Sequence, residues 1–144
     1  MLYKKTRAMK KLLFVTAAFT LLALCSFAGT DVPSSVKTKF ASLYPDVKKA
    51  KWSKEDNNYE AEFEVNEMET SVLFDAAGNV LETETEVPVS QLPPSVSDYC
   101  SKNFSGKKIK EASKIVDAKG AVKWEAEIDG KDHLFDDSGK PVQK

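Results

Sequence analysis

The sequence predicts an α+β fold of two tandem units, each a helix followed by a four-stranded antiparallel meander sheet. Blocks that recur in one order indicate a single structural unit used twice. The apolar spacing also changes within each unit, from a helical period to a period of two. The recurring blocks are residues 32–36 and 92–96, 59–63 and 124–128, and 74–78 and 135–139.

Residues 1–28 have the pattern of a signal peptide and are not expected to belong to the fold. A basic region is followed by an apolar run over residues 12–24. Ser26 and Ala28 then supply small residues at the two positions that a signal peptidase reads. The run is short for a membrane span, which needs roughly 20 apolar residues. We therefore expect export with cleavage after Ala28, and no integral span in the mature chain.

Cys25 leaves a second mode of export open. Residues 22–25 (LALC) approximate a bacterial lipoprotein box, which would attach lipid to Cys25. Leu24 is larger than the residue that usually precedes the lipidated cysteine. Periplasmic or secreted delivery is the first interpretation, and lipoprotein anchoring is the alternative.

The charge of the mature chain argues against nucleic acid as a partner. Five of the 21 basic residues and none of the 22 acidic residues lie in the leader, which leaves 16 against 22 and a net charge of about −6. Proteins that bind nucleic acid concentrate positive charge. The acidic balance suits an exported protein that does not cling to anionic membranes.

The first helix is predicted to begin at Pro33, with Ser34 or Ser35 near its cap. Pro45 ends it, because the residue before a proline is disfavoured in helical conformation. The helical spacing places four residues on one apolar face: Val36, Phe40, Leu43 and Tyr44.

The second helix repeats the stripe with Val96, Cys100 and Phe104, and Gly106 replaces the proline as the stop. Cys100 is the one cysteine left after cleavage, so no internal disulfide is possible. It could pair between chains or react. Its place on the apolar stripe favours a buried residue that behaves as a small hydrophobe.

Alternating polar and apolar residues predict strands that bury one face. In the first unit the strands are expected around residues 49–53, 59–65, 70–75 and 80–87. In the second unit they are expected at residues 109–116, 121–129, 131–136 and 140–143. Tight turns rich in Asp, Asn and Gly separate them.

The two units are predicted to span residues 29–87 and 88–144. The join at residues 87–91 is too short and too apolar for a free tether. A lone unit of about 55 residues would bury too little surface to be stable. The units are therefore expected to pack together, with a shared core as the safer arrangement.

These residues resemble the PepSY-like family of β-lactamase-inhibitor-like proteins, exported proteins of Bacteroidetes. The resemblance rests on the first helix, on residues 51–52 and 59–63, and on residues 74–78 and 81–82. It implies two tandem helix-plus-four-strand units, as in β-lactamase inhibitor proteins, and a non-enzymatic exported protein. The second unit departs from the pattern, because Ala112 stands where Trp52 stands in the first.

The side chains that alternate with the apolar strand residues form acidic rows. If Tyr59, Ala61 and Phe63 face the helix, the intervening glutamates face away from it. A solvated face that keeps the protein soluble is one interpretation. A surface that binds a basic protein partner is the other. The candidate residues are Glu60, Glu62, Glu64, Glu82, Glu84, Glu86, Glu125 and Glu127.

No pattern supports catalysis, a cofactor or a metal. His133 is interpreted as a strand histidine, because no nucleophile pairs with it by motif. Residues 136–139 faintly resemble a calcium loop but lack its alternating acids, so a hairpin turn is the better interpretation. Three further aromatic residues are expected to pack in the core: Trp52, Tyr59 and Trp124.

The leading hypothesis is an exported, non-enzymatic binding or inhibitor-like protein that engages a protein partner through one sheet face. The alternative is an envelope structural or stress-tolerance module with no single tight partner. A weak hydrolase or calcium binder is the third hypothesis, and it would depend on His133 or Asp136.

Overall fold

A computed structural model describes residues 31–142, which form two ten-residue helices and a seven-stranded antiparallel sheet. The strands are adjacent in the order in which they occur along the chain, so the sheet is a continuous meander. The predicted fold class is confirmed. The elements are α1 (Ser34–Leu43), β1 (Lys51–Glu55), β2 (Asn58–Val65), β3 (Met68–Phe74), β4 (Val80–Val87), a 3₁₀ turn (Val89–Gln91), α2 (Pro94–Asn103), β5 (Ile109–Asp117), β6 (Val122–Ile128) and β7 (Lys131–Asp136).

The proposed leader and Cys25 lie outside the described residues. Within residues 31–142, neither helix has the length and apolar content needed to cross a bilayer.

Both helices begin after a proline and carry a buried apolar stripe. Val36 and Phe40 of α1 are buried, as are Val96 and Cys100 of α2. The predicted serine cap is absent from α1, which has no side-chain cap hydrogen bond. The Ser35 hydroxyl instead donates to the Ala76 carbonyl oxygen at 2.9 Å, and so ties the start of the helix to the β3–β4 turn.

The strand register places both helices on one face of the sheet. Directly opposed residues point to the same face, and Ala61 pairs with Val72, which pairs with Thr83, which pairs with Val116. Along each strand every second residue joins this face. We call it the helix-covered face.

Two hydrophobic clusters, rather than one shared core, fill the helix-covered face. The expectation of a shared core is therefore not met in the described part of the chain. The units are joined by the sheet itself, since β4 pairs with β5 from Glu82–Asp117 to Val87–Ala112. The α1 cluster contains Val32, Val36, Phe40, Ala61, Phe63, Val72 and Phe74. The α2 cluster contains Leu92, Val96, Cys100, Ala112, Ala126, Ile128 and Phe135.

The predicted eighth strand, residues 140–143, is reduced to a single bridge between Phe135 and Pro141 in the described residues. Proline has no backbone N–H to donate to a ladder. One further contact follows, from the Val142 N–H to the Leu134 carbonyl oxygen at 2.9 Å. Within the described residues, the second unit is therefore a helix with three strands and a short terminal bridge.

The repeated turn after β3 and β7 has a structural cause. The Asp75 carboxylate accepts hydrogen bonds from the N–H groups of Ala77 and Asn79, at 2.9 and 2.8 Å. Gly78 has a φ of +90°, and a Cβ there would lie 2.9 Å from the Ser35 carbonyl oxygen. Gly139 has a φ of +81° and would collide in the same way with the Ser95 side chain. Each unit thus requires glycine where a turn abuts its helix.

Candidate functional site

The strand residues that alternate with the helix-covered face form a second face, which we call the acidic face. Glu62 lies opposite Ser71, and Ser71 lies opposite Glu84. Glu125 lies opposite Ser113, while Glu127 lies opposite Glu111. All eight sequence-predicted candidates lie on this face: Glu60, Glu62, Glu64, Glu82, Glu84, Glu86, Glu125 and Glu127.

The centre of the acidic face contains a cleft with a cavity of about 40 Å³. Every residue that lines it belongs to a strand. We call it the acidic cleft, and its lining is Glu62, Glu69, Ser71, Glu84, Glu86, Glu111, Ser113, Glu125, Glu127 and Asp132. Five of the predicted residues are therefore brought together, whereas Glu60, Glu64 and Glu82 lie on the same face without lining the cleft.

Sequence reasoning missed Glu69, Glu111 and Asp132. The third strand was predicted to begin at residue 70, but it begins at Met68. The cause is the tight turn at Asn66 and Glu67, whose φ angles of 52° and 64° suit a two-residue hairpin. A register shift between Ile109 and Glu111 interrupts the alternation from which Glu111 could have been assigned.

Several carboxylates of the acidic face are buried, although the sequence suggested solvation as one interpretation. The exposed fraction is 3% for Glu60, 8% for Glu62 and 8% for Glu125. Two of them have evident compensation. The Ser53 hydroxyl donates to Glu60 Oε2 at 3.1 Å, and the Lys51 ammonium donates to Glu62 Oε2 at 2.6 Å. Lys51 therefore offsets part of the negative charge of the acidic face.

Glu84 lines the cleft and is 3% exposed. Within residues 31–142, neither of its carboxyl oxygens has a hydrogen-bond partner. Its neighbours across the sheet are Ser71 on β3 and the buried Ile115 on β5. A buried charge without a partner is costly, so this position opposes ionisation of the carboxyl group.

The pKa of Glu84 is raised from its usual value to about 8, first by burial and next by the charge of Glu125. The nearby Ser113 hydroxyl moderates the shift without a hydrogen bond of normal geometry. The pKa values of Glu60 and Glu69 are also raised, mainly by burial. Glu84 therefore carries a proton at neutral pH in the unliganded protein.

Like charges face each other directly across neighbouring strands. Glu64 is opposite Glu69, and Glu127 lies between Glu111 and Asp132. Like charges in directly opposed positions destabilise a sheet. The acidic face is therefore not arranged for the greatest stability of the fold.

The other sequence candidates lie away from the cleft. His133 is opposite Ala126 on the helix-covered face and packs on the Phe104 ring at a centroid distance of 4.4 Å. The Asp136 carboxylate accepts hydrogen bonds from the N–H groups of Ser138 and Lys140, both at 3.0 Å, as a turn requires. In the part of the chain that the structure describes, no three acidic, histidine or cysteine side chains are arranged to hold a metal ion.

Most of the predicted core residues are buried, but Leu43, which was predicted on the apolar face of the first helix, is 43% exposed. Cys100 is 4% exposed in the α2 cluster, and burial raises the pKa of its thiol. Trp52 and Tyr59 pack against the α1 cluster, and Trp124 packs against the α2 cluster.

A family model described as "Putative beta-lactamase-inhibitor-like, PepSY-like" matches residues 25–82 and 57–140. The chain belongs to this PepSY-like family. The two matches overlap and together cover most of the sequence, in keeping with a unit that is used twice. No curated protein matches the chain.

Solved structures that are similar to this chain include proteins of three Bacteroides species. A protein of Bacteroides eggerthii, described as putative periplasmic, has a TM-score of 0.70 at 20% identity over 78% of this chain and 86% of its own. A DUF2874 family protein of Bacteroides uniformis has a TM-score of 0.69 at 21% identity over 77% and 86%. A BLIP-like protein of Bacteroides fragilis has a TM-score of 0.61 at 24% identity over 77% and 84%. These likenesses establish the inhibitor-like fold.

Proposed function

We propose that this PepSY-like protein is an exported, non-enzymatic binding protein that engages a basic protein partner through the acidic cleft. The observation that carries the proposal is the composition of the cleft. Eight of its ten lining residues are Glu or Asp, and all ten lie on strands of one sheet face. Charge-complementary surfaces steer association and favour the correct partner.

The energetic cost of the cleft supports binding over a merely solubilising face. Charges that only keep a protein soluble are stable when exposed and spread out. Here Glu62, Glu84 and Glu125 are buried, and Glu111, Glu127 and Asp132 are aligned across three strands. A cationic partner would reduce the repulsion between them on binding.

The size of the cleft argues against a glycosidase that uses paired carboxyl groups. A raised carboxyl pKa beside an ionised carboxylate is the arrangement that such enzymes use. A cavity of about 40 Å³ holds roughly three water molecules, since each needs about 10–15 Å³ of cavity volume. It does not admit a sugar ring.

Export is supported by two independent observations. The first is the leader pattern of residues 1–28. The second is the periplasmic description of a solved protein with the same fold. An envelope or extracellular partner is therefore the one to seek.

A pull-down tests the proposal. The immobilised chain from Gly29 onward would be incubated with envelope extract at low and high salt. A parallel sample would carry Glu69, Glu86 and Glu127 changed to Gln, which removes charge from the rim of the cleft. We expect a partner that the parent retains at low salt and that the variant loses.

The matched control removes three acidic charges elsewhere. Glu67, Asp98 and Asp137 are exposed, do not line the cleft and would be changed to Gln, Asn and Asn. A partner that the control retains and the cleft variant loses supports the cleft as the binding site. Equal retention by all three proteins would exclude the cleft as that site. No partner at all would favour the structural envelope module.

A further inference from the structure

We propose that the acidic cleft recognises a lysine side chain of its partner, whose ammonium group is seated against the carboxyl group of Glu84. The inference rests on the proposed binding function and specifies its chemistry. It depends on three features of the cleft: an unpartnered buried carboxyl group, the available volume and the arrangement of the surrounding charge.

The first feature is the position of Glu84. Each of its oxygens exposes less than 1 Å² and has no hydrogen-bond partner in the described chain, and the residue lines the cleft. The hydroxyl-bearing residues Ser71 and Ser113 line the same cleft. An ammonium group has three donors, and one carboxylate with two hydroxyl oxygens can accept all of them.

The second feature is the available volume. An ammonium group is a compact point charge, whereas guanidinium is a wide planar fork that prefers bidentate partners. A cavity of about 40 Å³ suits the smaller group. Calcium takes six to eight oxygen ligands, and the described carboxylates are not grouped to supply them. Size and ligand geometry together favour lysine.

The third feature is the charge that surrounds Glu84. One lysine of the chain already forms an ion pair on this face. The Lys51 ammonium lies 2.6 Å from Glu62 Oε2, at the sheet edge formed by β1. Among residues 31–142, none supplies such a partner to Glu84. The charged groups of the same face are Lys51 and Glu55 on β1, Glu60, Glu62 and Glu64 on β2, Glu69 on β3, Glu82 and Glu86 on β4, Glu111 and Asp117 on β5, Lys123, Glu125 and Glu127 on β6, and Asp132 and Asp136 on β7.

Binding by this route exchanges a proton for the ammonium group. Glu84 is protonated in the unliganded protein near neutral pH, and a neutral carboxyl group attracts an ammonium only weakly. When the lysine ammonium enters, the Glu84 proton leaves to solvent and a carboxylate–ammonium pair remains. Affinity should therefore increase as the pH rises toward the pKa of Glu84.

The test uses arrays of random heptapeptides with one fixed central residue. The four arrays carry lysine, arginine, acetyl-lysine or norleucine, and each is probed with the labelled chain from Gly29 onward. We expect the lysine array to bind best and acetylation to weaken binding by about tenfold, since it removes the charge and two donors. Binding to lysine peptides should strengthen between about pH 6 and pH 8.

Two variants make the result specific. Glu84→Gln keeps the shape of the side chain and removes its charge, so it should lose the lysine preference and its pH dependence. Glu67→Gln is the control, because Glu67 is exposed in the turn between β2 and β3 and does not line the cleft. It should bind as the parent does.

Other outcomes would overturn the inference. Arginine peptides that bind as well as lysine peptides, or Glu84→Gln binding that equals the parent's, would exclude a lysine seat at Glu84. Displacement of the peptides by calcium or spermidine alone would indicate a general cation site. If the pull-down still finds a cleft-dependent partner in any of these cases, the binding function stands and only the lysine inference fails.

Discussion

The two faces of this sheet are built from alternate residues of the same strands and bury their central side chains to a similar extent, but with opposite energetic effect. On the helix-covered face, Phe74 and Phe135 are fully buried against apolar neighbours. On the acidic face, Glu60 and Glu84 are 3% exposed, and Glu84 has no hydrogen-bond partner in the described chain. Burial stabilises the fold on the first face and costs free energy on the second.

The difference shows that burial by itself does not identify a core. The acidic face is buried by its own neighbours, such as Ile115 beside Glu84, and no helix residue lines its cleft. A face that loses stability in this way is a candidate for function. Glu84 is held there without a hydrogen-bond partner in the described chain.

Alanine substitutions at two neighbouring residues of β7 should give the largest difference in stability loss between the two faces. Phe135→Ala should lower the free energy of unfolding by about 3–5 kcal/mol, because it empties a fully buried site in the α2 cluster. Leu134→Ala, half-buried opposite Glu125 on the acidic face, should cost about 1 kcal/mol. Urea denaturation measures both. Equal losses would show that the two faces contribute alike.

The next largest loss of stability is expected where the β3–β4 turn contacts α1. Gly78→Ala should cost about 2 kcal/mol, because a positive φ is strained for alanine and the new Cβ would press on the Ser35 carbonyl. Gly120→Ala is the matched control, since Gly120 has a φ of +83° and a Cβ there would meet no atom within 4 Å. It should cost about 1 kcal/mol. If Gly120→Ala lowered the free energy of unfolding as much as Gly78→Ala, the positive φ rather than the contact with the helix would explain why glycine is needed at position 78.

The smallest loss of stability is expected from breaking the ion pair between Lys51 and Glu62 on the acidic face. Lys51→Gln should lower the free energy of unfolding by at most about 1 kcal/mol, because the lysine is half exposed while Glu62 is buried. The loss should shrink in high salt. The double variant with Glu62→Gln should recover most of it, since no unpaired carboxylate then remains. A double variant as unstable as the sum of the singles would exclude coupling between the two residues.

The sequence predicted what depends on local periodicity. The stripe of Val36 and Phe40 located a helix, and the alternation in residues 59–65 located a strand and assigned its two faces. The features that it missed depend on more distant neighbours. The burial of Glu84 depends on Ile115, which lies in another unit, and the place of Glu111 follows a register shift in β5. Neither the burial of Glu84 nor the position of Glu111 can be predicted from the residues of one strand.

Local sequence patterns also did not predict that the two units form a single sheet. The marginal stability expected of a lone unit suggested a shared core, but pairing of β4 with β5 joins the two units instead. Pro141 removes the donor that a full eighth strand would have needed.

The pH dependence of Glu84 connects the energetics of the acidic face to its function. Its pKa is about 8 in the folded chain and near the ordinary value of 4.5 in the unfolded chain. Between these values the folded state retains a proton that the unfolded state has lost. The contribution of Glu84 therefore makes stability fall as the pH rises through this window and level off above it.

The central claim is that the buried carboxyl group of Glu84 lowers the stability of the fold. The most direct test is to measure the free energy of unfolding of the parent and of Glu84→Gln by denaturation at about pH 5 and about pH 9. We expect similar stability at the lower pH. At the higher pH the variant should be more stable, by on the order of 3 kcal/mol, because it no longer holds a buried charge. A variant less stable than the parent at both pH values would contradict this expectation, because Glu84 would then stabilise the fold and would not be held at a cost for a ligand.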